Sequence, residues 1–279
     1  MLRSLSLLTL ISWLTTTATI ITAQAPSPAP KAKVSSTLGV RNLGVWKSLD
    51  PGIEYRKMTL ERSEPSYSFD LKLFRFGIDR VSPRIISSGQ FQLKGGDAKT
   101  LAQRSGAVAA INANYFDDKG KPLAFLKTTT EEINRNVSRH ALYTGVFGVH
   151  DSTPFIVHRD EFHLTQAQEA VQSGPLLLNG GQAVKAMPNP GRYSRRAVIG
   201  IDKQQRLMVG VTDTVLGGLS FAELQELFLN PQWQLDTPDL LNLDGGGSAQ
   251  LYIKTKTHEE FISGTSDVPV VIGFFKSRR

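Results

Sequence analysis

The sequence contains no cysteine, which excludes disulfide cross-links, thiolate nucleophiles and Cys-ligated zinc. Histidine is scarce as well: His140, His150, His158, His163 and His258 are the full set. They show no HExxH or related ligand spacing, so they read as surface or satisfied polar groups. No lysine follows the glycine-rich stretch in the manner of a phosphate-binding P-loop, and no serine lies in the G-x-S-x-G frame of a nucleophile elbow. Acidic residues are outnumbered, 25 against 32 Lys and Arg, giving a formal charge of +7. A basic balance favours anionic partners of any kind, such as phosphorylated glycans, anionic lipid surfaces or nucleic acid. Basic and aromatic residues are not interleaved as nucleic-acid binding requires, so no nucleic-acid partner is expected.

What is present is an ordinary globular composition, 40% apolar and 20% charged over 279 residues, which a single domain accommodates. Residues 1–25 begin with Arg3, continue through an apolar stretch to Leu14 and close on Ala23-Gln24-Ala25. That is the shape of a cleavable export signal. Ser4, Ser6 and Ser12 make it a poor lipid-spanning helix, so no stable membrane insertion is expected after cleavage. The expected location is therefore exported, periplasmic or secreted, in a bacterial setting. A Pro-rich tether over 26–42 should lead into a folded domain over 43–279.

The most informative stretch is Leu240-Leu241-Asn242-Leu243-Asp244-Gly245-Gly246-Gly247-Ser248-Ala249-Gln250-Leu251. It reads as a strand, a glycine-rich loop and a second strand. Three glycines allow positive φ and close main-chain approach, so the amides of Gly245, Gly246 and Gly247 can form an anion or sugar seat beside Asp244 and Ser248. A tight hairpin with strain-relieving glycines is the plain alternative. The small apolar run over 107–111 fits a strand buried on both faces, and it delivers Asn112, Asn114, Tyr115 and Phe116. Amides bond sugar hydroxyls and rings stack on sugars, although asparagine equally marks a turn.

Alternation over 55–61 and 68–76 predicts a strand pair, as do 143–150 with 155–158 and 197–202 with 206–213. Residues 119–139 are polar and lack periodicity, which predicts a long surface loop. A short helix should open near Gly95, and capping boxes at Thr165 and Ser220 predict two more. The first of these should stop at Ser173-Gly174-Pro175, where Ser173 and Gly174 either end the helix or meet a ligand. Arg192, Arg195 and Arg196 precede an apolar strand, as solvated charge or as a guanidinium fork for phosphate. The fold class expected is α+β: mostly antiparallel sheet, about three packed helices, and a site at strand ends and loops.

Four blocks, in order, resemble the phosphodiester glycosidase family. Asn112-Ala113-Asn114-Tyr115-Phe116 is similar to its N-x-G-F-F block and Ser173-Gly174-Pro175 to S-G-P. Arg196-Ala197-Val198-Ile199-Gly200 is similar to R-T-A-I-G, and Asn242-Leu243-Asp244-Gly245-Gly246-Gly247-Ser248 to N-L-D-G-G-G-S. Two departures stand out: Asn114 replaces a glycine, and Thr214-Val215 follow Asp213 where many relatives have Gly-Arg. The resemblance implies hydrolysis of a sugar-1-phosphodiester, with a phosphorylated sugar or anionic glycan as substrate. Asp244 would be the catalytic carboxylate with Asp213 second, and Arg196 with the glycine amides would neutralise phosphate. Asn112 and Ser173 would orient the ligand. A divalent cation, Ca or Mg, held by Asp213 and Asp244 is left open, as is the oligomeric state. The rival reading is a non-catalytic binder of anionic cell-envelope polysaccharide.

Overall fold

Three antiparallel sheets carry the chain in the computed structural model, which describes residues 38–277 apart from Pro65. The export signal and residues 26–37 of the tether lie outside the described residues. The inner end of that tether is not a tether: Leu38–Asn42 is a strand paired with Ile53–Ser63. Leu38, Val40 and Leu43 lean on a buried apolar cluster, which explains why the fold starts before residue 43. All described residues fall within one compact unit, Ser36–Arg279.

The largest sheet has nine strands. Its centre runs Ile53–Ser63, Ser66–Phe76, Leu207–Asp213, Ala197–Ile201, Asp239–Asn242 and Leu176–Asn179 in spatial order. Phe69, Leu71 and Leu73 alternate with polar residues as the sequence pattern requires, and all three are buried. One face of this sheet is covered by α2 (Phe221–Leu229), which buries Phe221, Leu224, Leu227 and Phe228. The capping box at its start is complete, with the Ser220 hydroxyl accepting from the Glu223 amide and the Glu223 carboxylate accepting from the Ser220 amide. The other face packs on the two five-stranded sheets through the main core.

In one of those sheets Ala109–Asn112 lies between Leu251–Lys254 and Val270–Lys276, every residue buried, as the small apolar run predicts. α1 (Ala98–Ser105) covers its outer face through Leu101 and Ala102. The glycine-rich stretch therefore is not a hairpin. It leaves the nine-stranded sheet at Asn242 and enters a different sheet at Leu251.

Two expectations fail. The helix read from Thr165 is a short 3-10 turn, Leu164–Gln166, followed by the strand Glu169–Ser173, so two α-helices, not three, are found among the described residues. The strand prevails because it is paired on both sides and its polar residues are satisfied in place. Glu169 accepts from the Ile85 amide at 2.6 Å and the Thr129 hydroxyl at 2.8 Å. Gln172 donates to the carbonyls of Ser138 at 2.8 Å and Tyr143 at 2.7 Å. The stretch 119–139 is likewise no surface loop throughout: it contributes the strands Leu126–Lys127 and Glu132–Asn134 and buries Phe125, Leu126 and Thr128.

Candidate active site

The crossover between sheets sets the position of Asp244. Its main chain is fixed on both sides: the amide donates to the Ala113 carbonyl at 3.0 Å, and its carbonyl accepts from the Asn112 side chain at 2.7 Å. The other end of the Asn112 amide accepts from the Gln250 amide at 3.1 Å. Asn112 is fully buried and bonded at both ends, so it straps the glycine loop at its two feet.

The loop itself needs its glycines. Gly246 has φ of 58°, and a β-carbon at Gly245 or Gly247 would sit 2.8 Å from the Arg195 carbonyl or 2.6 Å from the Thr265 hydroxyl. Two of its three glycine amides are directed within the protein. The Gly245 amide and the Ser248 hydroxyl both donate to the Asp244 carboxylate, and the Gly246 amide donates to the Arg195 carbonyl at 3.0 Å. The loop is built around its own carboxylate.

Burial nonetheless dominates at that carboxylate. It raises the Asp244 pKa to about 6, against the lowering effect of the Ser248 and Gly245 hydrogen bonds. The phenols of Tyr115 and Tyr143 are pushed above their ordinary value, first by burial and then by the charge of Asp244. Those two rings lie 5.1 Å apart, and His140 stacks beyond Tyr143 at 4.8 Å. The Tyr115 hydroxyl donates to the Gly174 carbonyl at 2.9 Å and accepts from the Asn242 side chain at 3.2 Å. Asn242 also donates to Gly174 at 2.8 Å. Gly174 therefore serves through its carbonyl, in a position where a β-carbon would strike the carbonyl of Leu142.

Arg196 supplies the positive charge. It is buried, its guanidinium rests 3.9 Å above the Phe221 ring, and it donates from Nε to Leu219 at 2.8 Å and from Nη2 to Arg192 at 2.6 Å, both carbonyls. Its Nη1 makes no hydrogen bond among the described residues and lies 3.8 Å from where a Gly245 β-carbon would be. Burial lowers its pKa to about 10, while Tyr115 pulls it upward. It stays cationic at neutral pH.

The remaining candidates are placed elsewhere. Ser173 is fully buried and donates to the Ala113 carbonyl at 3.3 Å. Asn114 is buried, donating to the Tyr115 carbonyl at 2.9 Å, with its Oδ1 unpartnered. Phe116 packs against the small cluster under α1 and does not stack at the site. Asp213 is half exposed and ion-paired to Lys72 at 2.7 Å. One strand separates its own from that of Asp244, about 10 Å at the usual strand spacing. Among the described residues no three His, Asp or Glu side chains converge as a metal site. Asp213 is already neutralised by Lys72 and no third such ligand joins it and Asp244 among the described residues, so no chemical step is routed through a divalent ion. Tyr143 and His140 were missed because nothing local marks an aromatic at a strand start as part of a site 100 residues away.

A β-rich scaffold presenting one half-buried carboxylate, one buried arginine and two phenols at a crossover loop is a protein of small-ligand or glycan chemistry at strand ends. The phosphodiester glycosidase family model matches residues 105–275, and the chain belongs to that family. Among solved structures it is similar to the catalytic domain of zebrafish N-acetylglucosamine-1-phosphodiester alpha-N-acetylglucosaminidase, which was captured auto-inhibited by its pro-peptide. The TM-score is 0.63 and the identity 15%, over 86% of this chain and 88% of that one. A hypothetical protein from Synechocystis gives a TM-score of 0.60 at 15% identity, covering 84% of this chain and 64% of that one. No curated protein matches significantly in sequence.

Proposed function

We propose that the protein is a hydrolase that cleaves a sugar-1-phosphodiester between the anomeric carbon and the phosphate oxygen. The observation that carries this reading is Asp244: a carboxylate favoured by Ser248 and Gly245 yet lifted by burial to a pKa of about 6, followed in the chain by Gly245, whose backbone the free Nη1 of Arg196 approaches. Family membership supports the reaction class and a phosphorylated sugar as substrate.

The chemistry divides between these two residues. A phosphate monoester leaves readily, so the enzyme's task is to neutralise its negative charge and to serve the oxocarbenium-like carbon. Arg196 Nη1 donates to the leaving phosphate. Ionised Asp244 either takes a proton from the attacking water or adds to the anomeric carbon before water replaces it. In both routes the water oxygen ends as the anomeric hydroxyl and the phosphate departs with the C1–O bonding pair. Tyr143 forms a wall for the sugar face, and Tyr115 acts indirectly by fixing Gly174. The export signal supports a periplasmic or secreted setting, with an envelope or extracellular glycan as the source of substrate.

The test is release of free sugar from N-acetylglucosamine-1-phospho-methyl ester by the wild type and Asp244→Ala, with and without EDTA. Release that depends on Asp244 and survives EDTA supports the reading. No release, together with saturable binding to anionic polysaccharide, would replace it with the non-catalytic binder.

A further inference from the structure

Beside the glycine loop lies an open groove of about 1230 Å³, whose lining does not include Asp244 and which the chemistry above does not use. Gly246 and Gly247 form part of its wall, so the loop that holds the candidate carboxylate also borders this second space. Its volume exceeds the roughly 300–1,000 Å³ typical of a small-molecule pocket. Tyr67, Tyr193 and Phe261 line it, the Tyr193 ring carrying the Arg62 guanidinium on one face at 3.9 Å, and Val215 and Leu216 stand on its rim, 96% and 76% exposed. Large apolar side chains left in water beside aromatic rings mark a surface that meets a ligand.

The charges in the groove say which ligand. Asp213 is paired with Lys72, Asp70 with Lys57, and Arg62 with Glu223. Arg195 makes no salt bridge among the described residues, and the one carboxylate whose charge acts on it, Asp213, is itself paired with Lys72. Its Nη2 donates to the carbonyls of Ala249 at 2.8 Å and Ser263 at 2.7 Å, which holds the guanidinium in place, while Nε is buried without a partner and Nη1 makes no hydrogen bond. A fixed arginine with donors to spare among aromatic rings matches an anion attached to sugar rings. Among the described residues, the other charge in the lining that makes no salt bridge is Glu64, in the turn next to Pro65.

We propose that this groove seats the neighbouring phosphorylated unit of a polymeric substrate, a glycan joined through phosphodiester links, with Arg195 on its phosphate and Tyr193 against its sugar. The inference rests on the reaction proposed above and gives its substrate class: a chain of sugar phosphates, one link at Asp244 and the next across the glycine loop.

The test compares a sugar-1-phospho-methyl ester with a short oligomer of sugar-1-phosphate repeats, using the full protein, Arg195→Gln and Tyr193→Ala. Expected is a rise in KM of about tenfold for the oligomer in either variant, with kcat and KM for the methyl ester unchanged in Tyr193→Ala. A parallel loss on both substrates would overturn the proposal, because Arg195 would then act through the loop; an unchanged oligomer KM would overturn it too. Calorimetric titration of the oligomer into Asp244→Ala, with and without Arg195→Gln, reads the groove without turnover. If neither ester is hydrolysed, the reaction fails as proposed, yet oligomer binding lost in Arg195→Gln would sustain the groove. Oligomer binding that is absent or indifferent to Arg195, or preference for acyl-chain vesicles over the oligomer, would refute it.

Discussion

Replacing Asp244 by asparagine should abolish turnover and at the same time stabilise the protein, in a way that depends on pH. Burial raises the folded-state pKa of Asp244 from 3.8 to about 6. A carboxyl with a raised pKa favours the folded state fully below its unfolded pKa, and that advantage is lost as pH rises through the folded value. Two pKa units correspond to about 3 kcal/mol, and partial contact with solvent trims this to roughly 2 kcal/mol. Asparagine keeps an oxygen for the Ser248 and Gly245 donors and does not ionise. Asp244→Asn should therefore melt higher than wild type by about 4–8 °C at pH 7.5, using about 2–4 °C per kcal/mol for a domain of this size. The difference should shrink as pH falls through 6 and vanish near pH 4. Thermal unfolding of both proteins across that range, with sugar release measured in parallel, checks it. A variant equal to or less stable than wild type at pH 7.5 would refute the buried-carboxylate argument, and retained turnover would refute the catalytic role.

Ser248→Ala removes a hydrogen bond that favours the ionised carboxylate. Such bonds contribute about 1.5–3 kcal/mol, so the acid limb of kcat/KM should move up from about 6 by roughly one to two pH units; a pH profile reads this directly. Arg196→Lys keeps the charge but loses the fork that places it, and kcat should fall about 10²-fold, while the buried hydrogen bonds to Leu219 and Arg192 that are lost should cost about 1–3 kcal/mol in unfolding. Glu223→Ala breaks the pair with Arg62, whose side chains are 1% and 5% exposed, and also removes half of the capping box on α2. An unpaired buried guanidinium predicts a loss of about 3–5 kcal/mol in denaturant unfolding, whereas Ser220→Ala should cost only about 1 kcal/mol.

Local signals proved readable where neighbours in sequence decide the outcome. The Ser220 capping box, the alternation of Phe69, Leu71 and Leu73, and the small apolar run before Asn112 each involve residues a few positions apart. The signal at Thr165 misled because Glu169 and Gln172 look solvent-directed in sequence, while their partners Ile85, Thr129, Ser138 and Tyr143 come from other segments. A buried polar residue is stable only where donors and acceptors meet it, and those are tertiary facts.

The same division runs through the site. From the sequence alone came Asp244 with its three glycines, Ser248 and the arginine of the preceding family block, because main-chain strain and family pattern are written locally. Only the tertiary structure decided what each does. It made the glycine stretch a crossover between two sheets and turned two of its amides toward Asp244 and Arg195. Asn112 became the strap at both feet of the loop, Asp213 was set beside Lys72, and Tyr143 came to Asp244 from a distant segment. The physical reason is that a hydrogen bond or a desolvation shift belongs to a pair or a volume, and strand order, not sequence distance, determines which groups share it.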